Sequence, residues 1–81
     1  MKAGQIVQAE AGRDKGRFFV IVETDGKFAL ICDGKTRPVE RPKKKKLIHL
    51  KATEYFADSE RVRTNKEMRR ALHQFNYPHL P

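Results

Sequence analysis

A chain of 81 residues with 38% hydrophobic side chains and no Trp has room for one small core, which favours a compact β fold or an assembly-stabilised one and excludes a large catalytic cleft. Eighteen Lys and Arg against ten Asp and Glu give a formal net charge of +8 and a pI near 10.0, so the expected partner is a polyanion. The single cysteine, Cys32, excludes an internal disulfide and a Cys-based zinc site within one chain.

The charge is unevenly placed. Residues 1–40 carry seven basic and six acidic side chains, net +1, and residues 41–81 carry eleven and four, net +7. No apolar stretch approaches transmembrane length, and Met1-Lys2-Ala3-Gly4 lacks the hydrophobic region of a signal peptide, so a soluble cytoplasmic protein with no membrane partner is expected.

In chain order, Gln5 to Ala9 suggests a first, weakly alternating strand. Glu10 to Gly16 is a polar loop in which Gly12 and Gly16 bracket Arg13-Asp14-Lys15, presenting cations at its tip while Asp14 offsets a neighbouring charge. Phe18 to Val22 is an uninterrupted aromatic and β-branched run, the composition of a buried or half-buried strand. Asp25-Gly26 supplies a turn and Phe28 to Ile31 runs back, completing a hairpin. Cys32 packs at the end of that strand, with a redox role as the alternative. Asp33-Gly34-Lys35 is a second turn of the same type, and Thr36 to Glu40 is an edge strand or bulge because Pro38 cannot donate to a ladder. After Arg41-Pro42 and the run Lys43 to Lys46, Leu47-Ile48-His49-Leu50 reads as a closing strand. Five short strands with glycine turns suggest a small barrel that hides its own edges.

From Lys51 the pattern changes. Ala52 to Arg63 shows no clear period and is expected to cross the barrel surface, with Tyr55-Phe56 as an apolar anchor. Thr64-Asn65-Lys66-Glu67 has the form of a capping box. Met68, Ala71, Leu72 and Phe75 follow at helical spacing, with Lys66, Arg69, Arg70 and His73 on the remaining surface, so a helix over about 65–75 is predicted. Three turns are marginal alone, which requires docking on the barrel, on Tyr55-Phe56 or on a partner. Asn76 fits the helix end, and 77–81 should be extended. The organisation is thus a barrel over 1–52 and a linker, helix and tail over 53–81.

Gly4-Gln5-Ile6-Val7, the Gly12-to-Arg17 loop, Phe19-Val20-Ile21-Val22 and the returning Phe28-Ala29-Leu30-Ile31 resemble a KOW motif. The Asp33-Gly34 turn, the basic stretch and Leu47 to Leu50 follow the order of the small KOW-type proteins of the archaeal and eukaryotic large ribosomal subunit. The chain is more similar still to their stand-alone bacterial relatives, described as KOW-domain RNA-binding proteins. The resemblance covers roughly residues 4–52 and the tail in general plan. It implies a mainly β, SH3-like five-stranded barrel that holds RNA, ribosomal RNA foremost, through loops and a basic surface. Gly16 and the apolar run after it match the family's loop glycine and second strand. The resemblance implies neither a catalytic residue nor a cofactor.

The residues support that reading independently. Four consecutive lysines cannot be buried without a penalty of several kcal/mol per charge, so Lys43, Lys44, Lys45 and Lys46 face water or phosphate. Their bland reading is a solvated run or a protective edge decoration. Arg13 and Arg17, whose planar guanidinium suits phosphate and base edges, are better candidates than Lys15 for shape or base contacts, against a solvated loop with an Asp14 ion pair. Lys35, Arg37 and Arg41 complete the candidate RNA-binding set; Gly12, Gly16 and Gly26 are structural loop positions. One of Phe18 and Phe19 faces outward if the sheet is covered on one side only, either packing against the tail or free to stack on a base. His49, His73 and His79 share no metal-ligand spacing, and neither a phosphate-binding glycine loop nor a nucleophile–base arrangement occurs, so a non-catalytic protein is expected. The competing reading is a protein-interaction module like elongation-factor KOW domains, using the helix stripe or an exposed strand edge. Anionic-membrane binding is disfavoured because the stripe is narrow and lacks Trp.

Overall fold

The computed structural model describes residues 1–58 and 63–79. Five antiparallel strands form one sheet in the order β4-β3-β2-β1-β5, with a single helix after them. The strands are β1 (Gln5–Ala9), β2 (Phe18–Thr24), β3 (Phe28–Cys32), β4 (Lys43–Lys46) and β5 (Leu50–Phe56), and the helix is α1 (Asn65–Asn76).

The central strands carry apolar side chains on both faces because both faces are covered. Ile6, Val20 and Cys32 lie in register across β1, β2 and β3 on the outer face, where Met68 and Leu72 of α1 pack over them. Val7, Ala9, Phe19, Ile21, Ala29, Ile31 and Leu50 form a second, inner cluster. Alternation of side chains therefore feeds two cores from one strand, which is why Phe18 to Ile21 reads as a continuous hydrophobic run. Val22 breaks the pattern: the β2–β3 register slips between Ile21 and Glu23, and Val22 is left 42% exposed. Phe19 is buried, while Phe18 faces the helix and lies 5.3 Å from the Phe75 ring. Packing against the tail, not an open stacking face, is thus its role.

Three expectations are corrected beyond the second turn. Residues 36–40 form no strand; Pro38 instead opens a turn closed by the Arg41 N–H on its carbonyl at 2.9 Å. The lysine run is itself the edge strand, pairing Lys43 with Ile31 and Lys45 with Ala29. Leu47–His49 is a 3₁₀ turn, and the last strand starts at Leu50 and runs to Phe56, past the boundary expected at 52. Tyr55 and Phe56 are accordingly strand residues, 55% and 53% exposed, with Tyr55 edge-on to Phe75.

That 3₁₀ turn links strands at opposite edges of the sheet. In a flat five-stranded sheet those edges lie roughly 19 Å apart, four spacings of about 4.8 Å. A single turn rising about 2 Å per residue does not span this, so the sheet is strongly curled at that end. The Leu47 N–H donates to the Lys27 carbonyl at 2.9 Å and the Glu10 N–H to the His49 carbonyl at 2.8 Å, fixing the turn to both sides.

The helix begins where its capping signal predicts. Thr64 Oγ1 accepts the Glu67 N–H at 3.2 Å and Glu67 Oε1 accepts the Thr64 N–H at 3.2 Å. Asparagines fix both ends, the first to the β3–β4 loop and the last to the sheet. Asn65 Oδ1 accepts the Val39 N–H at 2.8 Å, and Asn76 brackets Phe18, accepting its N–H at 2.8 Å and donating to its carbonyl at 3.2 Å. Removing the cap with Thr64→Ala is expected to cost about 1 kcal/mol, read as a small fall in melting temperature and faster amide exchange confined to the first turn of α1. The parts of the expected surface crossing and tail at 59–62 and 80–81 lie outside the described residues.

Candidate nucleic-acid interface

Two loops carry most of the predicted site: the one between β1 and β2, and the one between β3 and β4. They exchange charges reciprocally. Asp14 of the first takes the Arg37 guanidinium of the second at 3.0 and 3.3 Å, and Arg17 of the first reaches Asp33 of the second at 3.2 Å. Asp14 is buried, so it answers Arg37 and not its neighbours Arg13 and Lys15. Arg37 serves to hold the loops together.

Asp33 organises its own loop. One carboxylate oxygen accepts the N–H groups of Lys35 and Arg37 at 2.9 and 2.8 Å; the other accepts the Thr36 hydroxyl at 2.7 Å and Arg17. Burial pushes this carboxyl up, but the Arg37 and Lys35 N–H groups, the Thr36 hydroxyl and the Arg17 charge outweigh it and hold it below the usual carboxylate range. At the end of β3, burial, reinforced by the charges of Asp33 and Glu40, pushes the Cys32 thiol up to about 11. It is therefore a neutral packing group rather than a thiolate.

The lysines divide by face. Lys44 stands 4.5 Å over the Phe28 ring, and Lys43 and Lys46 are exposed. Lys45 is half-buried, its ammonium donating to the Ala11 carbonyl at 2.9 Å, so it is a tie between β4 and the β1–β2 loop. Four lysines on an edge strand also blunt that edge against pairing with another sheet. Arg13, Lys15, Lys35 and Arg41 are exposed. Gly12, Gly16 and Gly26 all adopt positive φ, as their loop positions require.

A well-formed concavity lies elsewhere than the lysine strand. Between α1 and the two loops runs a groove of about 810 Å³ lined by five cationic residues: Arg17, Lys35, Lys66, Arg69 and Arg70. Its one acidic lining residue is Asp33, already occupied by its own loop and by Arg17. Arg69 donates to the Gly34 carbonyl at 2.7 Å, which seats the helix on the loop. The structure thus brings Arg17 and Lys35 together with helix cations that the candidate set omitted, and none of Lys43 to Lys46 lines the groove. The signal for the omitted residues was present: Lys66, Arg69, Arg70 and His73 follow i, i+3, i+4, i+7 spacing beside the apolar stripe. Only the docking of Met68 and Leu72 shows that this stripe meets a loop.

The β1–β2 loop touches both cationic groups. At its start the Ala11 carbonyl holds Lys45, at its end Arg17 enters the groove, and Arg13 and Lys15 are exposed between them. Among the described residues no group of three His, Cys, Asp or Glu side chains is placed to hold a metal ion, and no helix is long and apolar enough to cross a membrane. No protein-family model matches this chain, and no curated protein matches it.

Proposed function

We propose that this is a non-catalytic, cytoplasmic RNA-binding protein of KOW type, ribosome-associated, whose curled sheet closes as an SH3-like barrel. The observation that carries the reading is the convergence of five cations on one groove whose single carboxylate is already neutralised. Phosphate neutralisation releases counterions, so such a site favours a polyanion without reading its sequence. The joining of opposite sheet edges through Leu47–His49 supports barrel closure, and the KOW-like loop supports RNA over other polyanions.

The competing protein-interaction reading loses its helix stripe, because Met68 and Leu72 are 3% and 1% exposed against the sheet. Exposed apolar side chains that remain to it include Ile48 and, on β5, Tyr55 and Phe56.

Titration of a ribosomal RNA fragment at several salt concentrations tests the proposal. Affinity should fall with salt, and Lys66→Gln/Arg70→Gln should flatten the log–log slope by about 1.4 and weaken binding roughly 25-fold at 0.1 M salt. Lys43→Gln/Lys44→Gln/Lys46→Gln, as a second arm, measures what the edge strand adds. Affinity indifferent to salt sinks the RNA reading, and a helix double variant that binds like the parent removes the groove from it.

A further inference from the structure

We propose that the groove takes an unpaired stretch of RNA, with a base laid against the Tyr77 ring and the flanking phosphates on Arg17, Lys35 and Arg70. This rests on the RNA-binding reading and narrows it to a single-stranded ligand.

The placement of Tyr77 follows from the helix end. Asn76 is clamped to the backbone of Phe18 through both its amide atoms, so the residues next to that clamp, Tyr77 after α1 and Arg17 before β2, meet at the same groove wall. Tyr77 is 37% exposed, and its ring lies 5.5 Å from that of His73 at a tilt of 37°. The Tyr77 N–H is spent on the His73 carbonyl at 2.8 Å, which fixes the backbone while leaving the ring at the groove. Arg17 is held by Asp33 with 35% of its side chain still open to solvent, so its guanidinium is oriented in advance.

A cationic groove alone accepts any polyanion; an aromatic ring set among the cations is what distinguishes ligands. A duplex keeps its base faces stacked internally and offers backbone, 2′-hydroxyls and base edges, so it has no π-face to place on Tyr77. An unpaired strand supplies a phosphate and a π-face from each nucleotide, matching cations interleaved with an aromatic ring. The groove's volume, about 810 Å³, falls within the range of roughly 300–1,000 Å³ that encloses small ligands, which suits a short unpaired segment.

The test uses a short oligouridylate, which has no secondary structure, and an A-form oligo(A)·oligo(U) duplex, titrated at the same salt against the full chain. Tyr77→Ala should weaken oligouridylate binding roughly 10-fold and leave the duplex unchanged, while Tyr77→Phe, which keeps the ring, should bind like the parent. Because the chain has no Trp, Tyr77→Trp gives a single reporter whose fluorescence should be quenched by oligouridylate and not by the duplex. If both RNAs bind with salt-dependent affinity but Tyr77→Ala affects neither, or both equally, and Tyr77→Trp is not quenched, the stacking site is overturned and the electrostatic reading stands. If neither RNA binds, the failure lies with the RNA-binding reading itself and takes this inference with it.

Discussion

Gly34→Ala is expected to lower the melting temperature by roughly 8–40 °C, more than alanine at a second glycine of similar backbone geometry. Gly34 has φ +79°, and a Cβ there would run into the Asn65 carbonyl oxygen at the start of α1 and come within 3.0 Å of the Met68 Cβ. The left-handed conformation costs an L-residue about 1–2 kcal/mol. The clash adds roughly 1–3 kcal/mol, because its main obstacle is helix backbone that cannot rotate away. At about 4–8 °C per kcal/mol for a domain of this size, the two costs together give the stated range. Gly16 has φ +89° with nothing within 4 Å of the corresponding Cβ, so Gly16→Ala pays only the conformational part and should lose roughly 4–16 °C. Thermal unfolding of the two variants in parallel is the measurement. Equal losses would mean that the helix does not rest on Gly34.

Asp33→Ala should destabilise by about 2–4 kcal/mol, since it strips acceptors from two N–H groups and the Thr36 hydroxyl and leaves Arg17 without its carboxylate. Asp33→Asn should cost less, because an amide oxygen still accepts from Lys35 and Arg37 while the contact with Arg17 is lost. The pH dependence has a definite sign. The folded carboxyl is held below its unfolded value, so its stabilisation is complete above that unfolded value, near pH 4, and drains away as pH falls through the folded one. Glu67, held down by the Thr64 side chain, and Glu40, held down by Asn65, are shifted in the same direction. The decisive quantity is therefore the stability difference between the parent and Asp33→Asn, measured by denaturant unfolding from pH 7 to pH 2. It should shrink steadily below pH 4; a difference constant across that interval would show that the Asp33 charge contributes nothing.

What could be read beforehand depended on how local its cause was. The hairpin of β2 and β3, the first strand and the capped helix all follow from contiguous residues, and their limits were legible to within a residue or two. The lysine strand was not legible because pairing, not composition, makes it a strand: Lys43 to Lys46 alternate in environment only through their register with Ile31 and Ala29. The end of β5 was masked by a break in register between Gln5 and Val7, where Thr53 Oγ1 donates to the Ile6 carbonyl at 2.6 Å and accepts the Tyr55 N–H. Of the candidate site, the exposed cations were correctly seen as cations. The sequence could not show that Arg37 and Lys45 are engaged within the fold, because their partners Asp14 and Ala11 lie far away along the chain. Nor could it show that Lys66, Arg69 and Arg70 share a groove with Arg17, which depends on how α1 docks.

The order in which the chain is made gives that docking a further consequence. Ile6, Val20 and Cys32 leave the ribosome long before Met68 and Leu72, their cover, have been translated. The early strands can fold their inner cluster only in part, since Leu50 belongs to it, and their outer row stays wet and sticky until the final turns emerge. A nascent chain stalled ahead of α1 therefore presents a bare apolar sheet, and that intermediate is where aggregation and chaperone capture would concentrate.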